Sequence, residues 1–177
     1  DTSWNVLAGC TWASPGCDAC YAAAMTRRLE AMGQRDYAGL TTKKHFNGKV
    51  RLLPHKLDAP LRWRKPRMVF VNSMSDLFHK DVPFKFIDEV FAVMALASQH
   101  TFQVLTKRPE RMAEYLEYFD VIRLSCAVQK FKPRVRRDDP FGTPWLADVV
   151  EPFRQNGYLP NVWPGTSALP MPWSKTR

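Results

Sequence analysis

Gly9-Cys10-Thr-Trp-Ala-Ser-Pro-Gly16-Cys17-Asp-Ala-Cys20-Tyr21 sets three cysteines in the spacing C-x6-C-x2-C, with glycine directly before the first two. The Cys17-x-x-Cys20 spacing lets two thiolates converge on one metal centre, and the Pro15-Gly16 turn folds Cys10 back toward them. The chain has four cysteines in 177 residues, and the fourth, Cys126, is remote in sequence. Three clustered thiolates with no obvious fourth ligand point to a 4Fe-4S cluster with one iron left open for a substrate or cofactor. Two other readings use the same residues. A structural zinc site takes four ligands, so Cys126 or one of His45, His55, His79 and His100 would have to complete it, and none of these sits in a paired motif. Disulfides need an oxidising compartment and a small cysteine-dense chain, which this is not.

The flanks of the cysteine loop decide the fold class. Trp4-Asn-Val-Leu7 is a short apolar run that reads as a strand delivering the first thiol. From Tyr21 to Met32 the residues are helix formers, and Gly33 stops them. A loop between a strand and a helix is where open α/β sheets and β/α barrels place their working groups.

The pattern then repeats. Residues 34–48 are polar and turn-rich and read as loop. Lys49 to Leu53 reads as a short strand, and Leu57 to Trp63 as a short amphipathic piece interrupted by Pro60. Arg62-Trp63-Arg64-Lys65-Pro66-Arg67 is a basic run around an aromatic; it reads as a solvated face beside a packed Trp, or as a phosphate contact with a stacking ring. Met68 to Val71 reads as a buried strand. It ends in Asn72-Ser-Met-Ser-Asp-Leu-Phe-His79, either a shelf of ligand-binding hydroxyls with Asp76 or a set of helix caps. Pro83 to Ser98 carries Phe84, Ile87, Phe91, Met94 and Ala95 at helical spacing, a core face behind an N-terminal proline. Thr101 to Leu105 is the next strand, followed by Thr106, Lys107 and Arg108, and Pro109 opens a helix to about Tyr118. Lys107 and Arg108 emerge where a phosphate or carboxylate would be held.

Strand–helix alternation predicts a parallel α/β architecture, and the three candidate sites all follow strands, so they share one face. After Phe119 the pattern becomes irregular and holds eight of the fourteen prolines. Val121-Ile-Arg-Leu124 reads as a strand, Lys130 to Arg137 as a basic run, and Asn161 to Trp163 as a strand running toward 166. The expected division is a β/α core over 1–118 and an irregular, basic, Pro-rich segment over 119–177.

Composition bounds the function. The chain is 45% apolar and 12% aromatic, which argues for a folded domain, and no apolar run reaches the ~18 residues of a membrane helix. No secretory signal is evident at Asp1-Thr-Ser-Trp4, so a cytoplasmic setting with reduced thiols is expected. A net charge of +9 favours polyanionic partners such as nucleic acid or phosphorylated nucleotides.

The blocks Trp4-Asn5, Gly9-Cys10, Ser14-Pro-Gly-Cys-Asp-x-Cys-Tyr-Ala22, Pro60-Leu-Arg-Trp63, Phe70 to His79, Phe102 to Arg111 and Asn161-Val-Trp163 resemble the phage-associated gp thirty-seven/gp sixty-eight family. The match is dense over residues 2–118 and resumes over 159–167. That family is similar to radical S-adenosylmethionine (SAM) enzymes, whose fold is a partial β/α barrel. The resemblance implies Cys10, Cys17 and Cys20 as cluster ligands, with SAM on the open iron cleaved reductively to a 5′-deoxyadenosyl radical. It implies Tyr21 near the adenine, Ser73, Ser75 and Asp76 near the methionine amino group, and Thr106 and Lys107 at the barrel mouth. A nucleotide or DNA base is the implied substrate class, in a phage or its bacterial host, with a flavodoxin or ferredoxin as electron donor. The family continues past Asn-Val-Trp with further β/α units, so an incomplete barrel is expected, with an open sheet edge that favours self-association. Rival expectations are a zinc-stabilised or cluster-free basic nucleic-acid-binding module, and an inactive truncated remnant.

Overall fold

The apolar runs at 68–71 and 101–105 pair side by side in the computed structural model, which describes residues 1–131 and 146–166. In chain order the elements are β1 (Thr2–Trp4), β2 (Leu7–Ala8), α1 (Tyr21–Ala31), β3 (Arg51–Leu52), β4 (Met68–Val71), α2 (Phe84–Leu96), β5 (Thr101–Thr106), α3 (Pro109–Tyr118), α4 (Val121–Phe131), α5 (Leu146–Asn156) and β6 (Val162–Thr166). Four strands form one parallel sheet in the order β1-β4-β5-β6. Sequential parallel neighbours joined through helices are the arrangement that builds β/α barrels, but among the described residues the sheet stays open. No described helix is long and apolar enough to cross a membrane.

Side chains alternate across a strand, and here the alternation divides labour between the two faces of the sheet. Trp4, Val71 and Val104 stand in one row across three strands, as do Val69, Phe102 and Val162 in the next, and all six are buried. The helices cover this face. α2 is buried along its whole length from Phe86 to Leu96, because the sheet lies on one side of it and α4 and α5 lie on the other. The opposite face carries Phe70 and Leu105, which are less buried and turn toward the loops after the strands.

The first predicted strand divides in two. Asn72, at φ 60°, turns the chain at the end of β4, and its amide N–H donates to the Trp4 carbonyl at 3.0 Å. Its side-chain Oδ1 accepts from Val6 N at 3.0 Å, so the chain leaves the sheet there. Leu7 and Ala8 then pair antiparallel with Leu52 and Arg51. β4 and α3 match the sequence expectation residue for residue, and β6 starts one residue later than expected.

Val121-Ile-Arg-Leu124 is not a strand; it is the first turn of α4. Four residues are too few to reveal a period. Over eleven residues Leu124, Val128 and Phe131 recur at helical spacing and bury themselves in the same core as α2. Asp120 caps the helix, accepting from Arg123 N at 2.8 Å. Residues 121–131 and 146–156, expected to be irregular, thus supply helices to the main core. Packing demands charge compensation. Asp88 and Glu89 on α2 are buried, and Arg123 and Lys130 of α4 reach them at 2.8 and 2.6 Å. Asp88 also accepts from the Tyr115 hydroxyl at 3.1 Å. Tyr115 sits amid Phe78, Phe84, Phe91 and Phe119, and burial, with the Asp88 carboxylate, pushes its hydroxyl far above the usual phenol range.

The basic run at 62–67 precedes β4, at the end of the sheet away from the cysteine loop. Arg62 pairs with Asp58 at 2.7 Å, and Arg67 covers the Trp63 ring at 5.2 Å. This is the solvated face beside a packed Trp. Residues 132–137 of the second basic run and the tail after Thr166 lie outside the described residues.

The helix and strand readings of residues 121–124 make opposite predictions for two side chains. A strand would put Ile122 and Leu124 on one face, whereas in α4 Ile122 is 72% exposed and Leu124 fully buried. Leu124→Ala is expected to cost about 2–5 kcal/mol and Ile122→Ala less than about 0.5 kcal/mol, measured by urea unfolding. Equal losses at the two positions would contradict the helix.

Candidate functional site

The cysteine loop starts with a position that only glycine can occupy. Gly9 has φ 89°, and a Cβ built on it would lie 2.1 Å from the Lys49 carbonyl oxygen. On its other side the backbone bridges Ser75. The chain passes through this gap between the β3 approach and the turn after β4, and Cys10 follows immediately. A one-turn 3-10 helix over Pro15–Cys17 then presents Cys17, with Cys17 N donating to the Ser14 carbonyl at 2.8 Å. Cys20 is the extended residue that opens α1. All three thiols are free and partly buried, and all three line one pocket of about 300 Å³ at the C-terminal end of the strands.

Two cations reach the sulfurs from the end of β5. Lys107 Nζ lies 3.6 Å from Cys17 Sγ, and Arg108 Nη1 lies 3.8 Å from Cys10 Sγ. Burial opposes ionisation of Cys17, but backbone groups of Ala13 and Ser14 together with the Lys107 ammonium outweigh it and hold the thiol below its usual range. Burial pushes the Cys10 thiol up, and the Arg108 guanidinium offsets this only in part. Among the described residues no group of three or more His, Cys, Asp and Glu side chains is arranged to hold a metal ion.

Asp76 joins the parts. Its Oδ1 accepts from Phe78 N at 3.0 Å and from the Thr106 hydroxyl at 2.7 Å. Its Oδ2 accepts from Lys107 N at 3.0 Å and from Arg108 Nη1 at 2.9 Å. A carboxylate has roughly four acceptor positions, so this one is full. Arg108 continues the chain of contacts, donating through Nη2 to the Thr11 carbonyl at 3.1 Å and to its hydroxyl at 2.7 Å. His79 meets the same hydroxyl at 2.9 Å. Because His79 Nδ1 accepts from Asp81 N at 3.2 Å, its proton lies on Nε2 and is donated to Thr11.

The structure therefore brings Cys10, Cys17, Cys20, Tyr21, Ser73, Ser75, Asp76 and Lys107 to one pocket. Thr106 is the exception. It is buried and holds Asp76 instead of lining the space. The Ser73 hydroxyl donates to Asn5 Oδ1 at 3.1 Å, the Ser75 hydroxyl to the Leu7 carbonyl at 3.2 Å, and the Tyr21 hydroxyl to the Ser73 carbonyl at 2.8 Å. Of the candidates for a fourth zinc ligand, His45 lines the pocket. His79 is committed to Thr11 and Asp81, His55 faces Asp36, His100 is buried against Pro60, and Cys126 lies on α4. From sequence, Thr11 and Trp12 were not singled out as site residues, and Asn72 opened one of the candidate sites without a role of its own. Asn72 was legible as the residue a strand delivers, and its Nδ2 is buried with no hydrogen-bond partner among the described residues.

Two predictions follow from this wiring. Asp76→Ala strips the acceptor from a partly buried Arg108 and a buried Thr106, and is expected to cost about 3–5 kcal/mol in urea unfolding, whereas Lys107→Ala should cost less than about 1 kcal/mol. His79 and His100 are both buried, and burial holds both below the ordinary imidazole range. The unfolded chain takes up protons there that the folded chain refuses, so stability falls as pH drops below about 6.5. The urea midpoint is expected to be lower at about pH 5.5 than at about pH 7.5, and a midpoint independent of pH would contradict the burial of neutral imidazoles.

No curated protein and no solved structure matches the chain. A family model described as a protein of unknown function, DUF5131, matches residues 1–177. The chain, with its three-thiol pocket at the end of a parallel sheet, belongs to the DUF5131 family.

Proposed function

We propose that Cys10, Cys17 and Cys20 hold a 4Fe-4S cluster with one iron open to SAM, and that the chain works as a radical SAM-type enzyme. The observation that carries this reading is the convergence of three free thiols from one loop on a single pocket, with cations on two of the sulfurs. When bound, such a cluster supplies the electron for reductive cleavage of SAM, delivered from a flavodoxin- or ferredoxin-type donor.

The chain's own residues have definable tasks in that reading. A cluster on three thiolates is anionic, and Lys107 and Arg108 offset its charge in a partly buried site; hydrogen bonds to sulfur also raise its reduction potential. Tyr21 has its hydroxyl tied to Ser73 while its ring is 64% exposed, so it offers a fixed flat face for the adenine. Asn72 Nδ2 is a donor without a partner, beside a pocket where a carboxylate or ribose oxygen would satisfy it. Asp76 has no acceptor position left for the methionine amino group, so in this site it acts as a brace. The Ser73 and Ser75 hydroxyls each spend their proton and keep lone pairs for an ammonium. Phe70 and Leu105 line the floor and exclude water.

Anaerobic reconstitution with iron and sulfide tests the ligand set. About four irons per chain are expected, falling by more than half in Cys10→Ser, Cys17→Ser and Cys20→Ser and unchanged in Cys126→Ser. Zinc in place of iron, with binding lost in His45→Ala, would overturn the cluster in favour of a four-ligand structural site.

A further inference from the structure

We infer that the pocket mouth is a docking surface for single-stranded nucleic acid, with Trp12 as a stacking platform and the loop at 43–49 as the phosphate contact. From Tyr37 to Leu57 the chain carries Lys43, Lys44, Lys49, Arg51 and Lys56 and no Asp or Glu. Two of these cations are answered internally. Arg51 donates to the carbonyls of Arg35, Asp36 and Ala38, and Lys56 pairs with Asp36 at 2.6 Å. Lys43, Lys44 and Lys49 are exposed and have no carboxylate partner among the described residues. Other cations of the described fold are paired, as Asp58, Asp76, Asp88 and Glu89 pair with Arg62, Arg108, Arg123 and Lys130, while Arg64 and Lys65, like these three lysines, are exposed without a carboxylate partner among the described residues.

The unanswered charge is held in place at the mouth. His45 and Phe46 of this loop line the pocket. Arg27 donates to the Lys44 carbonyl at 3.2 Å, and Asn47 Nδ2 donates to the Gly39 carbonyl at 2.9 Å. Gly48 lies close to Thr11 of the cysteine loop, since a Cβ built on it would come within 3.6 Å of Thr11 Cγ2. Next to it, Trp12 also lines the pocket and is 59% exposed. Its indole N–H donates to Asp18 at 2.9 Å, which spends the polar atom and fixes the ring while leaving its surface to solvent. Core packing does not explain a fixed, exposed indole beside uncompensated lysines. A strand of stacked bases on a phosphate backbone complements both features: a ring stacks on any base, and lysines track phosphate.

The inference rests on the pocket being the working site, and it names the substrate class for the proposed chemistry. Binding of a fluorescein-labelled twelve-residue oligodeoxythymidine is measured by anisotropy, on the reconstituted protein and on the same protein before reconstitution. Iron content and strand binding are then read separately, so either reading can fail while the other stands. Trp12→Ala is expected to weaken binding about tenfold, and Trp12→Phe, which keeps a stacking ring, to stay close to wild type. Lys43→Glu combined with Lys44→Glu should weaken binding at least tenfold and reduce the salt slope by about 1.4. No binding at about 50 mM salt, an unchanged affinity in Trp12→Ala, or displacement by polyglutamate as effective as by unlabelled oligomer would overturn the inference.

Discussion

One buried carboxylate holds the working end of this molecule together. Asp76 leaves the end of β4 and takes hydrogen bonds from its own turn, from the last residue of β5 and from the two residues after it. Arg108 passes the constraint on to Thr11 and Cys10. Three pieces of chain far apart in sequence are thereby fixed against each other within one network. Such a network is stable only when complete, because each member left alone would be a buried polar group without a partner.

The sheet supports this arrangement by separating its two faces. One row of side chains is given to α2 and the core, and the other, with Phe70 and Leu105, floors the pocket. Thiols enter that apolar space from the loop after β2, and cations from the end of β5. Burial would keep the thiols protonated, and the cations and backbone groups work against it with different success at Cys10 and Cys17. The site therefore depends on placement more than on residue type: without the backbone groups of Ala13 and Ser14 and the Lys107 and Arg108 cations beside them, the same cysteines would meet mainly the cost of burial.

The sequence made legible whatever a local pattern encodes. Met68 to Val71 is apolar and short, Pro109 opens a helix, and a glycine follows α1, so these elements fall where expected. The shared face of the three candidate sites was legible too, because parallel strands deliver their C-terminal loops to one end. What was not legible depends on partners distant in sequence. Asp76 after a strand has the composition of a ligand contact and of a brace alike, and only the arrival of Thr106 and Arg108 separates the two. Val121-Ile-Arg-Leu124 has an equally ambiguous composition, and burial against α2 made it helical. Gly9 was visible as a glycine before a cysteine, but the Lys49 carbonyl that forbids any side chain there comes from forty residues away.

The proposed function requires an iron open to SAM inside the three-thiol pocket. The electron paramagnetic resonance spectrum of the reduced, reconstituted protein, recorded with and without SAM, tests this directly. A cluster signal whose g values shift when SAM is added is predicted, because the ligand would bind the iron itself. A cluster signal that SAM leaves unchanged would contradict the open position, and no cluster signal would contradict the iron–sulfur site altogether.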